Sequence, residues 1–269
     1  MKNKHLLFFP LFFISLKNFA IKPDRNYVQT PQTFHLSYTE QKVKTPDGLS
    51  LNTWICKPQK ENDIKRVLIL AYPDAGNMSY WLNQVAVLVA NGFTVVMFDY
   101  RGFGQSDEYY LNSDFLYYNE FVLDLETLIR WTKINFAEYK LGIYGLAMGT
   151  IISIFTVQRE PVDFLVLDGF IASPMKMKKT LKRIKGTDII LPDGYERYEK
   201  YVQNLKIKTL LFAGKEDMFT PVIDSEKLRN LSLENKLVVF RANHMQGFMA
   251  LSQATYGDKY AAEIIEFTN

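Results

Sequence analysis

The stretch Lys140-Leu-Gly-Ile-Tyr-Gly-Leu-Ala-Met-Gly-Thr150 constrains this fold more than any other part of the chain. An apolar run (Leu141, Ile143, Tyr144) enters Gly145-Leu146-Ala147-Met148-Gly149, and the β-branched Ile151, Ile152 and Ile154 follow. That order predicts a buried strand, a very sharp turn and a helix. Glycines on both sides of such a turn are needed where a Cβ would strike the neighbouring strand or helix. In Gly-x-Ser-x-Gly the central residue is a strained serine whose hydroxyl attacks a carbonyl. Here the central residue is Ala147, which offers only a methyl group.

The remaining pattern sets the fold class. Val67 to Tyr72 and Phe93 to Phe98 are continuous apolar runs, as in strands covered on both faces. Phe164 to Leu167, Thr209 to Phe212 and Leu237 to Phe240 are three further short strands. Helical spacing runs over Tyr80 to Ala90 and Phe121 to Trp131, and again near Ser225 to Leu231 and Tyr256 to Phe267. Upstream, Phe34 to Thr45 and Leu49 to Cys56 alternate with period two around Pro46-Asp47-Gly48, which reads as a hairpin. Ile21 to Thr33 is expected to be an extended arm. Together these predict an α/β fold: a mostly parallel central sheet, helices on both faces, and an N-terminal antiparallel hairpin. A chain of 269 residues, 48% apolar, suits one domain over residues 21–269. Only residues 169–205 fall outside the alternation, as a small lid insertion. Its apolar stripe (Met177, Leu181, Ile184) is flanked by many cations, which we read as a solvated helix face rather than a basic surface for an acidic ligand or membrane.

The first twenty residues differ. Met1-Lys-Asn-Lys-His5 is basic, Leu6 to Leu16 is apolar, and Lys17-Asn-Phe-Ala20 has room for a cleavage site. This predicts a signal peptide and an exported protein, periplasmic or secreted; the alternative is an N-terminal membrane anchor. The apolar core is short for a membrane span, and no stable span is expected once the leader is removed. Three of the 32 basic residues lie in this leader, which has no acids, so 29 remain against 29 acidic ones. A neutral remainder gives no electrostatic reason to expect nucleic acid. The lone Cys56 excludes an internal disulfide and a thiolate-rich metal site.

In such a sheet the working residues gather at the carboxyl ends of the strands. Asp217 follows the Leu210 to Gly214 strand and His244 follows the last strand, giving the order nucleophile position, acid, histidine. The carboxylate would hold one imidazole nitrogen and leave the other facing the elbow. His5 is in the leader and His35 on the hairpin, so His244 is the well-placed histidine.

From Val67 to Phe248 the chain resembles the α/β-hydrolase family, especially its compact serine aminopeptidase-like and lipase or thioesterase members. The resemblance rests on Tyr72-Pro-Asp-Ala-Gly-Asn77, Phe98-Asp-Tyr-Arg-Gly-Phe-Gly-Gln-Ser-Asp107, the Gly145–Gly149 elbow, Gly214-Lys-Glu-Asp-Met-Phe-Thr-Pro221 and Asn243-His244. It implies hydrolysis of esters, thioesters or amides through an acyl-enzyme, with neither cofactor nor metal. It also implies an oxyanion hole built from the N–H of Met148 and the loop at Asp74 and Ala75. Three departures stand out. Ala147 lacks a lone pair. Pro73, in a Tyr-Pro pair where the family usually has His-Gly, lacks an N–H. Asp74 replaces a common neutral Asn, and a carboxylate about 4 Å from a developing oxyanion repels it by roughly 4 kcal/mol at an effective dielectric near 20.

Loss of the hydroxyl together with a changed oxyanion loop suggests a catalytically silent homologue that binds a ligand or a partner protein. Its pocket is expected between the loop from Tyr72 to Tyr80, Phe103, Phe170 and the lid. An aromatic content of 14% fits a small apolar or acyl-bearing ligand; no protein partner is named by the sequence. Two alternatives stay open: a His244–Asp217 dyad enzyme working without serine, and a serine ester or amide hydrolase whose nucleophile was substituted. Ser79 and Ser106 lie in loops and Ser153 inside a helix, so none is placed to replace residue 147.

Overall fold

The computed structural model describes residues 20–269; the predicted leader, apart from Ala20, lies outside the described residues. Eight strands form the main sheet: β1 Ser37–Lys44, β2 Ser50–Lys57, β3 Arg66–Ala71, β4 Thr94–Phe98, β5 Lys140–Leu146, β6 Phe164–Asp168, β7 Thr209–Gly214 and β8 Lys236–Phe240. Their order across the sheet is β1-β2-β4-β3-β5-β6-β7-β8. Only β2 runs antiparallel to its neighbours, β1 and β4. The continuous apolar runs become the central strands: from Val67 to Ala71 and throughout β4 and β6 every residue is buried. The sheet is mostly parallel with helices on both sides, the α/β-hydrolase architecture. The order of filling switches side at β3, with β4 on one flank and β5 on the other, which places the carboxyl ends of β3 and β5 beside a crevice.

The helices are α1 Leu82–Ala90, α2 Asn119–Asn135, α3 Met148–Thr156, α4 Pro174–Lys185, α5 Tyr198–Gln203, α6 Val222–Arg229, α7 Gly247–Ala250 and α8 Asp258–Thr268. Helix α2 packs on α3, and α1 meets α8. The segment between β6 and β7 holds α4, capped by the Ser173 hydroxyl accepting from the Lys176 N–H and ended by Gly186 at φ +69°. It also holds α5, which the sequence pattern does not delineate.

Two features tie the loops near the crevice. The arm is more than extended: Lys22–Pro23 pairs in parallel with Ala75–Gly76, and Pro31–Phe34 forms a 3-10 turn. The Asn77 side chain donates to the Asp24 and Asn26 carbonyls at 3.0 and 2.7 Å, fixing that arm on the loop after β3. Arg101, 1% exposed, lies 2.6 Å from Asp124 of α2 and 2.6 Å from Asp47 at the hairpin tip. A buried guanidinium held by two carboxylates locks the hairpin to the loop after β4, and removing one partner would strand the other charge.

Candidate active site

At the elbow Ala147 adopts φ +45° and ψ −111°, a backbone conformation that costs a non-glycine residue roughly 1–3 kcal/mol. Surrounding bonds hold it there. The Ala147 N–H donates to the Asp168 carbonyl at 3.0 Å, and the Ala147 carbonyl accepts from the Thr150 N–H at 2.9 Å and its hydroxyl at 2.7 Å. The flanking glycines are steric necessities. A Cβ on Gly149 would lie 1.8 Å from the Ala71 carbonyl oxygen, and one on Gly145 would lie 2.8 Å from Ser153 Oγ. Met148 opens α3, so its N–H is among the first-turn donors that lack a partner within the helix.

Asp217 and His244 come together from the ends of β7 and β8. His244 Nδ1 lies 2.6 Å from Asp217 Oδ2. The same oxygen accepts the Thr220 hydroxyl at 2.5 Å, while Oδ1 accepts the N–H groups of Phe219 and Thr220 at 2.8 and 3.0 Å. Burial pushes the Asp217 pKa up, but the His244 hydrogen bond and charge, aided by Thr220, hold it below the usual carboxylate value. An ionised Asp217 accepts the Nδ1 proton, so the other ring nitrogen, Nε2, is an acceptor when the ring is neutral. Gly169 makes room for this ring: a Cβ there would sit 2.7 Å from His244 Cε1.

One cavity of about 120 Å³ is lined by Ala147, Met148, Asp74 and His244, with Phe219 and Lys185 among its other walls. Asp74 is half-buried. Burial raises the pKa of its carboxyl, opposed by its own backbone N–H and by the charges of Lys185 and His244. Ala75 is exposed, paired with Lys22 in the short parallel strand, and is not among the cavity's lining residues. Among the described residues no group of three or more His, Cys, Asp or Glu side chains is placed to hold a metal ion.

The family model for the serine aminopeptidase S33 group matches residues 74–185. The fold is shared with a Pyrococcus furiosus esterase at a TM-score of 0.72 and 19% identity, over 91% of this chain and 98% of that one. The chain has the α/β-hydrolase fold. An α/β serine hydrolase homologue from Coxiella burnetii has a TM-score of 0.57 at 18% identity, over 91% of this chain and 99% of that one. In sequence the chain is similar to the uncharacterized protein YfhR of Escherichia coli K12, 27% identical over 259 residues, which span 93% of this chain and 86% of that protein.

Within this fold, two expected pocket residues are elsewhere. Phe103 is fully buried and packs edge-on against Tyr72, Tyr100 and Phe121, with ring centroids 5.9, 5.9 and 5.7 Å away. Phe170 is 1% exposed and lines a separate small recess beside α4. Both rings satisfy the core instead of the cavity. Tyr72 likewise turns inward, its hydroxyl accepting the Tyr100 N–H at 3.2 Å. In their place Ile171 and Phe219 line the cavity with Leu116 and Ala20. Ile171 and Phe219 each lie shortly after the carboxyl end of a strand, a signal that position alone supplies. Leu116 and Ala20 come from loops and carry no such signal.

Sequence reasoning also missed Asp168, the last residue of β6. It is 3% exposed and accepts the Tyr260 hydroxyl at 3.0 Å, while its Oδ1 has no hydrogen-bond partner among the described residues. Burial pushes its carboxyl up to about 7, against the pull of Tyr260 and His244, with Asp217 adding to the rise. The three serines nearest the question are committed. Ser79 Oγ donates to Asn77 Oδ1, Ser106 Oγ to the Asp99 carbonyl and Ser153 Oγ to the Gly149 carbonyl, each at 2.6 Å.

Proposed function

We propose that this α/β-hydrolase is catalytically silent and uses its elbow cavity to bind a small apolar or acyl-bearing ligand. The observation that carries this is the composition of the cavity: a methyl at residue 147 and a carboxylate at Asp74 share it with His244. Acyl transfer in this fold needs a nucleophilic oxygen, a base to take its proton, and donors for the oxyanion. The His244–Asp217 pair offers the base. Nothing at Ala147 can attack, and Ser79, Ser106 and Ser153 are occupied elsewhere. A water placed beside the methyl would still generate an oxyanion near Asp74. Repulsion of roughly 4 kcal/mol would slow that step about a thousandfold.

The test is steady-state turnover of p-nitrophenyl acetate and butyrate. The unaltered chain should show no rate above its His244→Ala variant, and Ala147→Ser alone should recover little because Asp74 remains. Robust turnover by the unaltered chain would end the proposal; strong recovery by Ala147→Ser alone would favour a hydrolase whose serine was substituted. The intact dyad supports one second reading, proton transfer by His244 without a nucleophile. It requires an activity of the unaltered chain that disappears in His244→Ala.

We further propose that the leader directs export, with a retained N-terminal anchor as the alternative. Among the described residues no helix is long and apolar enough to cross a membrane. N-terminal sequencing of the protein recovered from the periplasmic fraction or the medium tests this: a chain still starting at Met1 contradicts cleavage.

A further inference from the structure

The cavity at the elbow is built for the opposite charge from the one an acyl-transfer site stabilises. Asp74 brings a carboxylate to its wall. His244 brings a ring whose Nδ1 is held by Asp217, so that in the neutral ring Nε2 is the remaining acceptor. Phe219 adds an aromatic face. Two acceptors and a π-face are what an ammonium group, with three N–H donors and a full positive charge, requires. A carboxylate-headed ligand would instead meet Asp74 at close range.

The protein's own side chains mark the position. Lys185, the last residue of α4, lines the same cavity and holds its Nζ 5.1 Å from the centre of the Phe219 ring. Its charge is one of those that oppose the rise of the Asp74 pKa, so ammonium and carboxylate attract across the cavity. The Lys185 residue is exposed overall and sits at a helix end just before Gly186. Its long stem gives the ammonium reach toward solvent.

We propose that this cavity binds a ligand with a primary ammonium head and a short apolar tail, the ammonium lying between Asp74, His244 Nε2 and the Phe219 ring in place of the Lys185 ammonium. The tail would meet Ile171, Met177, Leu181 and Leu116, which supply the apolar walls. The inference rests on the cavity being a ligand site, and it deepens that reading by naming the head group. It does not depend on the absence of turnover: ester hydrolysis can be seen or not seen whatever the cavity binds.

The probes are n-butylammonium and butanoate, matched in chain length and titrated into the full chain at pH 8.5 by calorimetry or by the NMR shift of the Ala147 methyl. Butylammonium should bind at least about tenfold more tightly than butanoate, and Asp74→Asn should erase most of that preference. Lys185→Ala, at an exposed position, should tighten butylammonium about threefold or more by removing the competing cation. Should Asp74→Asn fail to fold, the Lys185→Ala result decides alone. Equal or tighter butanoate binding, an unchanged preference in Asp74→Asn, no tightening in Lys185→Ala, or no butylammonium binding at all would each overturn the proposal. A positive binding result with concurrent ester turnover would retain the ammonium site and remove the silent reading.

Discussion

The carboxyl of Asp74 and the imidazole of His244 line one cavity, and the elbow adds the methyl of Ala147 to the same wall. In an ester-cleaving site the first position would carry a neutral donor, and the third a hydroxyl. The pair that would serve as base and supporting acid is present, while the two groups it would serve are a methyl and a carboxylate. The positive φ at Ala147 and the steric need for Gly145 and Gly149 persist, so the strained turn remains although it has nothing to present.

Restoring one group should therefore be insufficient. Ala147→Ser should give at most weak esterase activity, and Ala147→Ser combined with Asp74→Asn should exceed it by about 10²- to 10³-fold in kcat/KM, as removing roughly 3–4 kcal/mol of repulsion implies. Steady-state assays with p-nitrophenyl butyrate check it; equal rates in the single and double variants would show that Asp74 does not oppose the oxyanion.

The elbow gives two stability predictions of opposite sign. Ala147→Gly should stabilise the fold by about 1 kcal/mol, because glycine adopts this backbone conformation without penalty. Gly149→Ala should destabilise it by about 3 kcal/mol or more, since its Cβ would lie 1.8 Å from the Ala71 carbonyl oxygen. Urea unfolding of both variants reads the difference directly.

Asp168 makes stability depend on pH. Its carboxyl is pushed from 3.8 to about 7, so the folded chain holds that proton more tightly than the unfolded chain does. Stability from this group is present at low pH and lost as pH rises between those two values. The groups facing it are Tyr260, His244 and Asp217. Asp168→Asn keeps an acceptor for Tyr260 and removes the ionisation. Relative to the unaltered chain it should gain stability with rising pH, by at most about 4 kcal/mol at pH 8, and show no such gain near pH 4. Thermal melts across pH 4 to 8 check this; a gain independent of pH would contradict it.

The ion cluster under the hairpin should matter more than any surface pair. Arg101→Met leaves the buried Asp124 without its cation and should cost about 3–5 kcal/mol, measured by urea unfolding at neutral pH. Lys182→Ala removes an exposed pair with Asp188 and should cost less than about 1 kcal/mol.

Strands and elbow were legible in the sequence because burial on both faces leaves continuous apolar runs, and because a strained turn between strand and helix needs glycines at fixed spacing. Asp217 and His244 were found by position at strand ends, which the parallel topology converts into proximity. The arm's pairing with Ala75–Gly76 left no trace, since backbone hydrogen bonds do not depend on side-chain type. Phe103 and Phe170 were misplaced for a related reason: an aromatic residue near a site serves the core or the cavity equally well on composition. Asp168 was overlooked because a strand-ending Asp before Gly reads as a turn residue, and only the packing of α7 and α8 over it shows its burial.

Catalytic silence is tested most directly by intact-mass measurement of the unaltered protein during incubation with p-nitrophenyl butyrate, with released p-nitrophenol followed in the same sample. The expected result is an unchanged protein mass and release no faster than with His244→Ala. A transient mass gain of one butyryl group, rising and falling with turnover, would contradict it.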